Sequence, residues 1–292
     1  MNIATNWQYI DTHAHLNLSA FKNDVDAVAT RCQEEGVAVI NIGTKLSTSQ
    51  QAVELAEQYE HCYAMVGLHP IQTTPGHHDE EEVGEGAQPF TSKGEVFVSD
   101  EFRALAKQSN KVIGIGECGF DYFHNTADTY EVQEVAFIEQ VKLANELQLP
   151  IMIHTREPKP GEASPTGRSA YDDVYDILKN YATVPGNIHF FAGNYEQAKR
   201  FIDLGFTVSF TGVITFAKVY EEVVRAVPLE SMHAETDCPY VAPVPYRGQR
   251  AEPWQVVEVV KLIAMLKDLD EATVAAQLRF NAEQLYGVNL TR

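Results

Sequence analysis

Short apolar runs alternate with amphipathic stretches from Tyr9 to Tyr286, and this alternation limits the folds open to the chain. Eight runs read as strands: Tyr9–Leu16, Val37–Gly43, Tyr63–Leu68, Val112–Cys118, Ile151–His154, Asn187–Phe191, Phe206–Phe210 and Met232–Asp237. Helical periodicity falls at Asp24–Glu35, Ser49–Tyr59, Thr129–Leu147, Ser169–Asn180, Tyr195–Leu204, Val219–Ala226, Glu252–Leu266 and Glu271–Tyr286. Runs such as VAVINIG and VIGIGE are apolar or small on both faces, which suits parallel strands covered by helices. Eight such units in 292 residues predict a (β/α)8 TIM barrel, taken as one domain over residues 1–292. An open doubly wound sheet is the structural rival, but no glycine-rich dinucleotide turn follows the first run.

The informative residues stand where these runs end. Asp11, His13 and His15 close the first, His69 the third, Glu117 the fourth, and His154 then Arg156 the fifth. His189 lies in the sixth and Asp237 closes the eighth. A barrel gathers the C-terminal ends of its strands at one mouth, where barrel enzymes carry their chemistry. A lone histidine at such a place is more often a hydrogen-bonded structural residue, and a lone Asp often caps a turn. The conjunction changes that balance. His13 and His15 are two apart and share a strand face. Buried carboxylates need a cation or hydrogen bonds to offset desolvation. Four histidines and two carboxylates suffice for two divalent ions, and imidazole with carboxylate suits zinc, manganese or iron more than calcium. Two adjacent ions activate water and stabilise a leaving oxygen.

Charge narrows the partners. With 22 Lys and Arg against 41 Asp and Glu, the formal charge is −19, so long duplexes and anionic membranes are repelled at range. A nucleic-acid substrate must then be held locally, by a few cations. No run of about 18 apolar residues is present, and Met1–Tyr9 lacks the basic start and apolar core of a secretory signal. Four scattered cysteines, Cys32, Cys62, Cys118 and Cys238, form no CxxC pair, and a reducing cytoplasmic setting is expected. Cys118 and Cys238 stand beside Glu117 and Asp237, but small core residues are the simpler reading.

The set DTHAHLN, GLHP, GIGECGFD, PIMIHTR, HFFAG, SFTGVITF, ETDCPYVAP and RGQRAEP, in order from Tyr9 to Gly287, resembles the TatD family of metal-dependent deoxyribonucleases in the amidohydrolase superfamily. DxHxH alone is shared widely; GECGFD followed by PIMIHTR and ETDCPY is specific. The resemblance implies a TIM barrel with two divalent ions (Mg, Mn or Zn). His13 and His15 would bind the first ion, Glu117 would bridge both, and His154 and His189 would bind the second. Asp237 would serve as ligand of the first and proton acceptor from the attacking water, with Glu117 and Asp237 the catalytic pair. His69 and Arg156 would contact phosphate, and Asp11 would orient a ligand. The implied activity is 3′→5′ exonucleolytic or general phosphodiester hydrolysis of single-stranded DNA, with breadth toward RNA. Three departures are visible: Ala251 stands where the family usually has Asn, HFFAG replaces HCFSG while keeping its histidine, and two insertions are longer than in compact members.

Two Gly- and Pro-rich stretches, Thr74–Gly94 and Pro158–Arg168, follow ends that carry a histidine and read as insertions at the mouth, expected to narrow the groove. The acidic run Asp79–Glu82 and His77 and His78 read as solvated loop. Tyr246 and Trp254 are candidates for base stacking, though packing of the last helices explains Trp254 equally. One rival function is an amidohydrolase of a small ester, amide or phosphoester. Many of these bridge their ions with a carboxylated Lys on the fourth strand, where this chain has Glu117. A metal-loaded scaffold without catalysis is the other rival, and the unbroken ligand set argues against it.

Overall fold

The structure, a computed structural model, describes residues 7–78, 90–124 and 129–290. Eight parallel strands form one sheet in the order β1-β2-β3-β6-β7-β8-β9-β10. They are β1 (Tyr9–Ala14), β2 (Val37–Ile42), β3 (Cys62–Val66), β6 (Val112–Asp121), β7 (Ile151–Arg156), β8 (Gly186–Ile188), β9 (Thr207–Phe210) and β10 (Met232–Ala234). Around them lie α1 (Val25–Glu34), α2 (Leu46–Gln58), α3 (Ser99–Ala106), α4 (Tyr130–Leu147), α5 (Ala170–Tyr181), α6 (Tyr195–Asp203) and α7 (Glu221–Ala226). Two further helices, α8 (Val256–Lys267) and α9 (Glu271–Tyr286), follow the last strand. The expected TIM barrel is the observed fold.

Alternation along β2 shows how the layers form. Val37 and Val39 pack outward with Val28 and Cys32 of α1. Ala38, Ile40 and Ile42 turn the other way, packing with Ile10, Met65, Ile113 and Met152, and with Ala282 and Tyr286 of α9. Parallel strands buried on both faces need apolar residues at both parities.

The seam between β1 and β10 has no regular ladder. An isolated parallel bridge joins Ala14 to Cys238. Asp237 N–H donates to the His13 carbonyl at 2.9 Å, and His15 N–H to that of Cys238 at 3.0 Å. The buried Asp11 carboxylate completes the seam. It accepts Thr236 N–H at 2.9 Å, the Thr236 hydroxyl at 2.5 Å and His13 N–H at 3.2 Å. Asp11 therefore holds the backbone of a candidate ligand rather than its ring.

Several details differ from the sequence reading. β1 ends at Ala14 and β8 at Ile188, so His15 and His189 stand just beyond their strands rather than within them, and β7 runs on to Arg156. β6 runs to Asp121, three residues past Cys118, because Gly119, Phe120 and Asp121 continue to pair with His154, Thr155 and Arg156 of β7. The amphipathic segment Ser99–Ala106 is a helix that the reading passed over. β10 ends at Ala234, so Asp237 stands in the irregular segment beyond it. His77 and His78 lie in a strand, not a loop: β4 (Pro75–His78) pairs antiparallel with β5 (Phe90–Lys93). The acidic run Asp79–Glu82 lies outside the described residues. The second insertion is fastened to the start of α5, where the Thr166 hydroxyl donates to Asp173 at 2.5 Å and Arg168 pairs with Asp173 and Asp176 at 3.0 and 2.7 Å. Ala251 is buried, and its N–H donates to the Pro239 carbonyl at 3.1 Å, which holds the loop without an Asn side chain.

Candidate metal centre

Six of the predicted residues converge at the C-terminal mouth. The Nε2 atoms of His13 and His15 lie 3.1 Å apart. Glu117 Oε1 is 3.5 Å from each, and Asp237 Oδ1 is 3.6 Å from His13 and 3.3 Å from His15. The other oxygen of Glu117 turns the opposite way. Its Oε2 is 2.9 Å from His189 Nε2 and 3.5 Å from His154 Nδ1. One carboxylate thus faces two separate imidazole pairs.

The outward nitrogens explain which lone pairs point inward. His15 Nδ1 is 2.9 Å from the Ile42 carbonyl, which only accepts, so Nδ1 carries the proton and Nε2 is bare. His154 Nε2 is 3.1 Å from Asp121 Oδ2, which leaves Nδ1 bare toward Glu117. His189 turns its Nδ1 toward Glu235 Oε1 at 3.4 Å and its Nε2 toward Glu117. Carboxylates and carbonyls behind ligating histidines fix ring orientation and tautomer in this way.

Asp121 and Glu235 were not singled out from sequence. Asp121 is buried and also accepts the backbone N–H groups of Phe123 and His124, each at 2.9 Å. Glu235 is fully buried, accepting Phe190 N–H at 2.7 Å and the Ser209 hydroxyl at 2.6 Å. Asp121 stands four residues after Glu117 and Glu235 two before Asp237, a spacing that is not diagnostic because Glu235 and Asp237 lie beyond the end of β10.

His69 behaves differently. It sits among Asp121 and His154, but its Nδ1 accepts Ile71 N–H at 3.0 Å. The neutral ring therefore carries its proton on Nε2, which turns a donor toward the site, 3.9 Å from Glu117 Oε2. Burial, with His154 close by, holds its pKa well below the ordinary value, so it stays neutral. Arg156 is not brought against the cluster. Its guanidinium carbon lies 4.0 Å from the Phe123 ring centre, with Lys159 Nζ 5.1 Å from the same ring.

The electrostatics are those of a cation cradle. Burial opposes ionisation of Glu117, yet the facing imidazoles of His13, His69 and His189 hold its pKa well below the carboxylate range. Burial likewise opposes charge on His189 and His15. It is outweighed at His189 by Glu117 and Glu235, and at His15 by Asp237 and Glu117. Both are raised, as is His154 against Asp121 and Glu117. His13 is lowered, by burial and by His189 stacked on it at 3.8 Å. Bare nitrogens aimed at carboxylate oxygens need positive charge between them, and divalent cations fit this donor set.

Two local features allow the strands to carry these groups. Gly119, between Glu117 and Asp121, has φ +142°, and a Cβ there would lie 2.0 Å from the His154 carbonyl oxygen. Gly67, just past β3, approaches Gly116 so closely that a Cβ would come within 2.5 Å of its carbonyl carbon.

Comparisons agree with this architecture. The sequence model of the family described as "TatD related DNase" matches residues 10–287. The "Uncharacterized metal-dependent hydrolase YabD" of Bacillus subtilis is 33% identical over 287 residues, covering 96% of this chain and 99% of that protein. The "3'-5' ssDNA/RNA exonuclease TatD" of Escherichia fergusonii is 29% identical over 289 residues, covering 96% and 99%. The crystal structure of the TatD homologue YjjV from Escherichia coli K12 superposes with a TM-score of 0.80 at 27% identity, over 97% of this chain and 99% of that one. With an eight-stranded barrel, a mouth of inward lone pairs and a family match across residues 10–287, the chain belongs to the TatD-related DNase family of metal-dependent hydrolases.

Proposed function

We propose that the protein hydrolyses phosphodiester bonds with two divalent cations, as a 3′→5′ exonuclease on single-stranded DNA with breadth toward RNA. The observation that carries this reading is the division of Glu117 between two imidazole pairs, Oε1 toward His13 and His15 and Oε2 toward His189 and His154. A bridging carboxylate has this disposition. The exonuclease named above, similar over 96% of the chain, supports the substrate class.

His13, His15, Glu117 and Asp237 would hold one ion, and Glu117, His154 and His189 the other. Bound there, the cations supply a water of lowered pKa and neutralise charge on the diester. Asp237, beside His13 and His15, accepts the proton of the attacking water. His69 donates its Nε2–H to a non-bridging phosphate oxygen, a role its neutral tautomer permits. Arg156, outside the cluster on the Phe123 ring, offers its fork of donors to a phosphate further along the strand. The net charge of −19 is then no obstacle, because the positive charge is local.

The test uses metal-stripped protein reloaded with Mg, Mn or Zn and a 5′-labelled single-stranded oligonucleotide, beside Glu117→Ala. A metal-dependent ladder shortening from the 3′ end, absent in the variant, is expected. Failure to cleave with any metal, by folded protein that binds two ions, would shift the assignment to a small ester or phosphoester.

A further inference from the structure

Apart from Ser209, which donates to Glu235, the segments SFTGVITF and RGQRAEP have no part in the chemistry above, yet the fold brings them together at the same mouth. The short helix Gly212–Thr215 leaves the C-terminal end of β9 and is followed by Phe216. Arg247 lies in the segment that leaves the end of β10. The Arg247 guanidinium carbon lies 3.9 Å from the centre of the Phe216 ring. The support is firm: Val244 N–H donates to the Thr215 hydroxyl at 2.9 Å, and Arg247 Nη1 donates to the Ala242 carbonyl at 3.0 Å. A Cβ on Gly212 would lie 2.6 Å from the Val241 carbonyl oxygen, so the two segments are in close contact.

We propose that Phe216 and Arg247 form a stacking subsite for a nucleobase of a single-stranded polynucleotide, one or more nucleotides away from the bond that is cut. The proposal rests on the phosphodiesterase reading and deepens it. Phe216 is 41% exposed although it is a large apolar ring, and the neighbouring Val219 and Val244 are 78% and 45% exposed. A planar guanidinium over a ring, with apolar surface beside it, is a surface on which any base stacks, because every base has a π face. Phe123 under Arg156 and Lys159, beyond β6 and β7, repeats the pairing elsewhere on the rim. In a chain of net charge −19, cations paired with aromatics at two points of the mouth mark a path for a strand that is both aromatic and anionic. A peptide or bilayer partner would not need this combination.

The experiment compares kcat/KM on dT12 with kcat/KM on bis(p-nitrophenyl) phosphate, which has no base. Wild type, Phe216→Leu, Phe216→Trp and Arg247→Gln are measured in one metal. The ratio of the two efficiencies is expected to fall about tenfold in Phe216→Leu, through KM on dT12, and to recover in Phe216→Trp. Arg247→Gln is expected to lower the same ratio and to flatten its salt dependence. As a readout apart from turnover, an oligonucleotide carrying 5-iododeoxyuridine should photocrosslink to metal-stripped protein at Phe216. An unchanged ratio in Phe216→Leu, or an equal loss on both substrates, makes the pair a loop brace and overturns the subsite. Hydrolysis of bis(p-nitrophenyl) phosphate without cleavage of dT12 by wild type overturns the exonuclease reading and the subsite together.

Discussion

Glu117 is the residue whose replacement separates the two halves of the site. Glu117→Gln keeps volume and hydrogen bonding but removes the charge between the imidazole pairs. Turnover should fall at least a thousandfold, and ion content by elemental analysis should drop from two toward one or none, while circular dichroism stays native. Asp237→Asn should behave differently. It leaves an oxygen ligand but no proton acceptor, so turnover falls about a hundredfold or more while one ion or both remain. Retained turnover in either variant would refute the role given to that residue. His13, His15, Glu117, His154, His189 and Asp237 were legible in the sequence because each stands in or at the end of an apolar run, and the topology gathers those ends. Asp121 and Glu235 were not. A carboxylate that orients a histidine has no diagnostic spacing, and only the ring nitrogen it faces reveals it. The donor character of His69 was hidden for the same reason, since it depends on one backbone hydrogen bond from Ile71.

At the scale of elements, the strand ends matter more than the helices. β6 delivers Glu117 and Asp121 from a single strand, and it does so only because Gly119 lets it pass against β7. Gly119→Ala should destabilise by more than about 2 kcal/mol through the clash with the His154 carbonyl and its positive φ. Urea unfolding checks this; a loss under 0.5 kcal/mol, as an estimate from ordinary surface changes, would contradict it. The seam gives a companion prediction. Asp11→Ala leaves buried Thr236 donors without their acceptor and should cost about 1–3 kcal/mol and loosen β1 against β10. The eight strands were readable from apolar runs, and their C-terminal limits were not. Where β6 stops depends on partners in β7, and where β10 stops depends on a seam held by Asp11 rather than by a ladder. The helix Ser99–Ala106 escaped because eight residues carry barely two turns of periodicity.

For the whole molecule, acid sensitivity follows from histidines outside the centre. Burial pulls His233 down to about 3, and burial with Lys111 nearby pulls His61 down to about 4. A folded pKa below the unfolded value of 6.5 means that the unfolded chain binds more protons. Stability is then fully present above about pH 6.5 and is lost as pH falls toward the folded values. His233→Gln should shrink the stability difference between pH 7 and pH 5 by about 2 kcal/mol, measured by urea unfolding of metal-stripped protein. A difference as large as in wild type would show that His233 does not drive it. Metal binding adds the same sense of pH dependence, because His15, His154 and His189 must each be neutral to offer a lone pair. The overall charge was legible in the sequence, and only the fold shows cations seated on Phe123 and Phe216 at the mouth.

The central claim is that one carboxylate divides this mouth into two cation positions. Anomalous diffraction at the manganese edge, from crystals of stripped protein reloaded with Mn, tests it most directly. Two peaks are predicted, one between His13, His15 and Asp237 and one between His154 and His189, with Glu117 between them. A single peak, or two peaks that both lie on one side of Glu117, would contradict it.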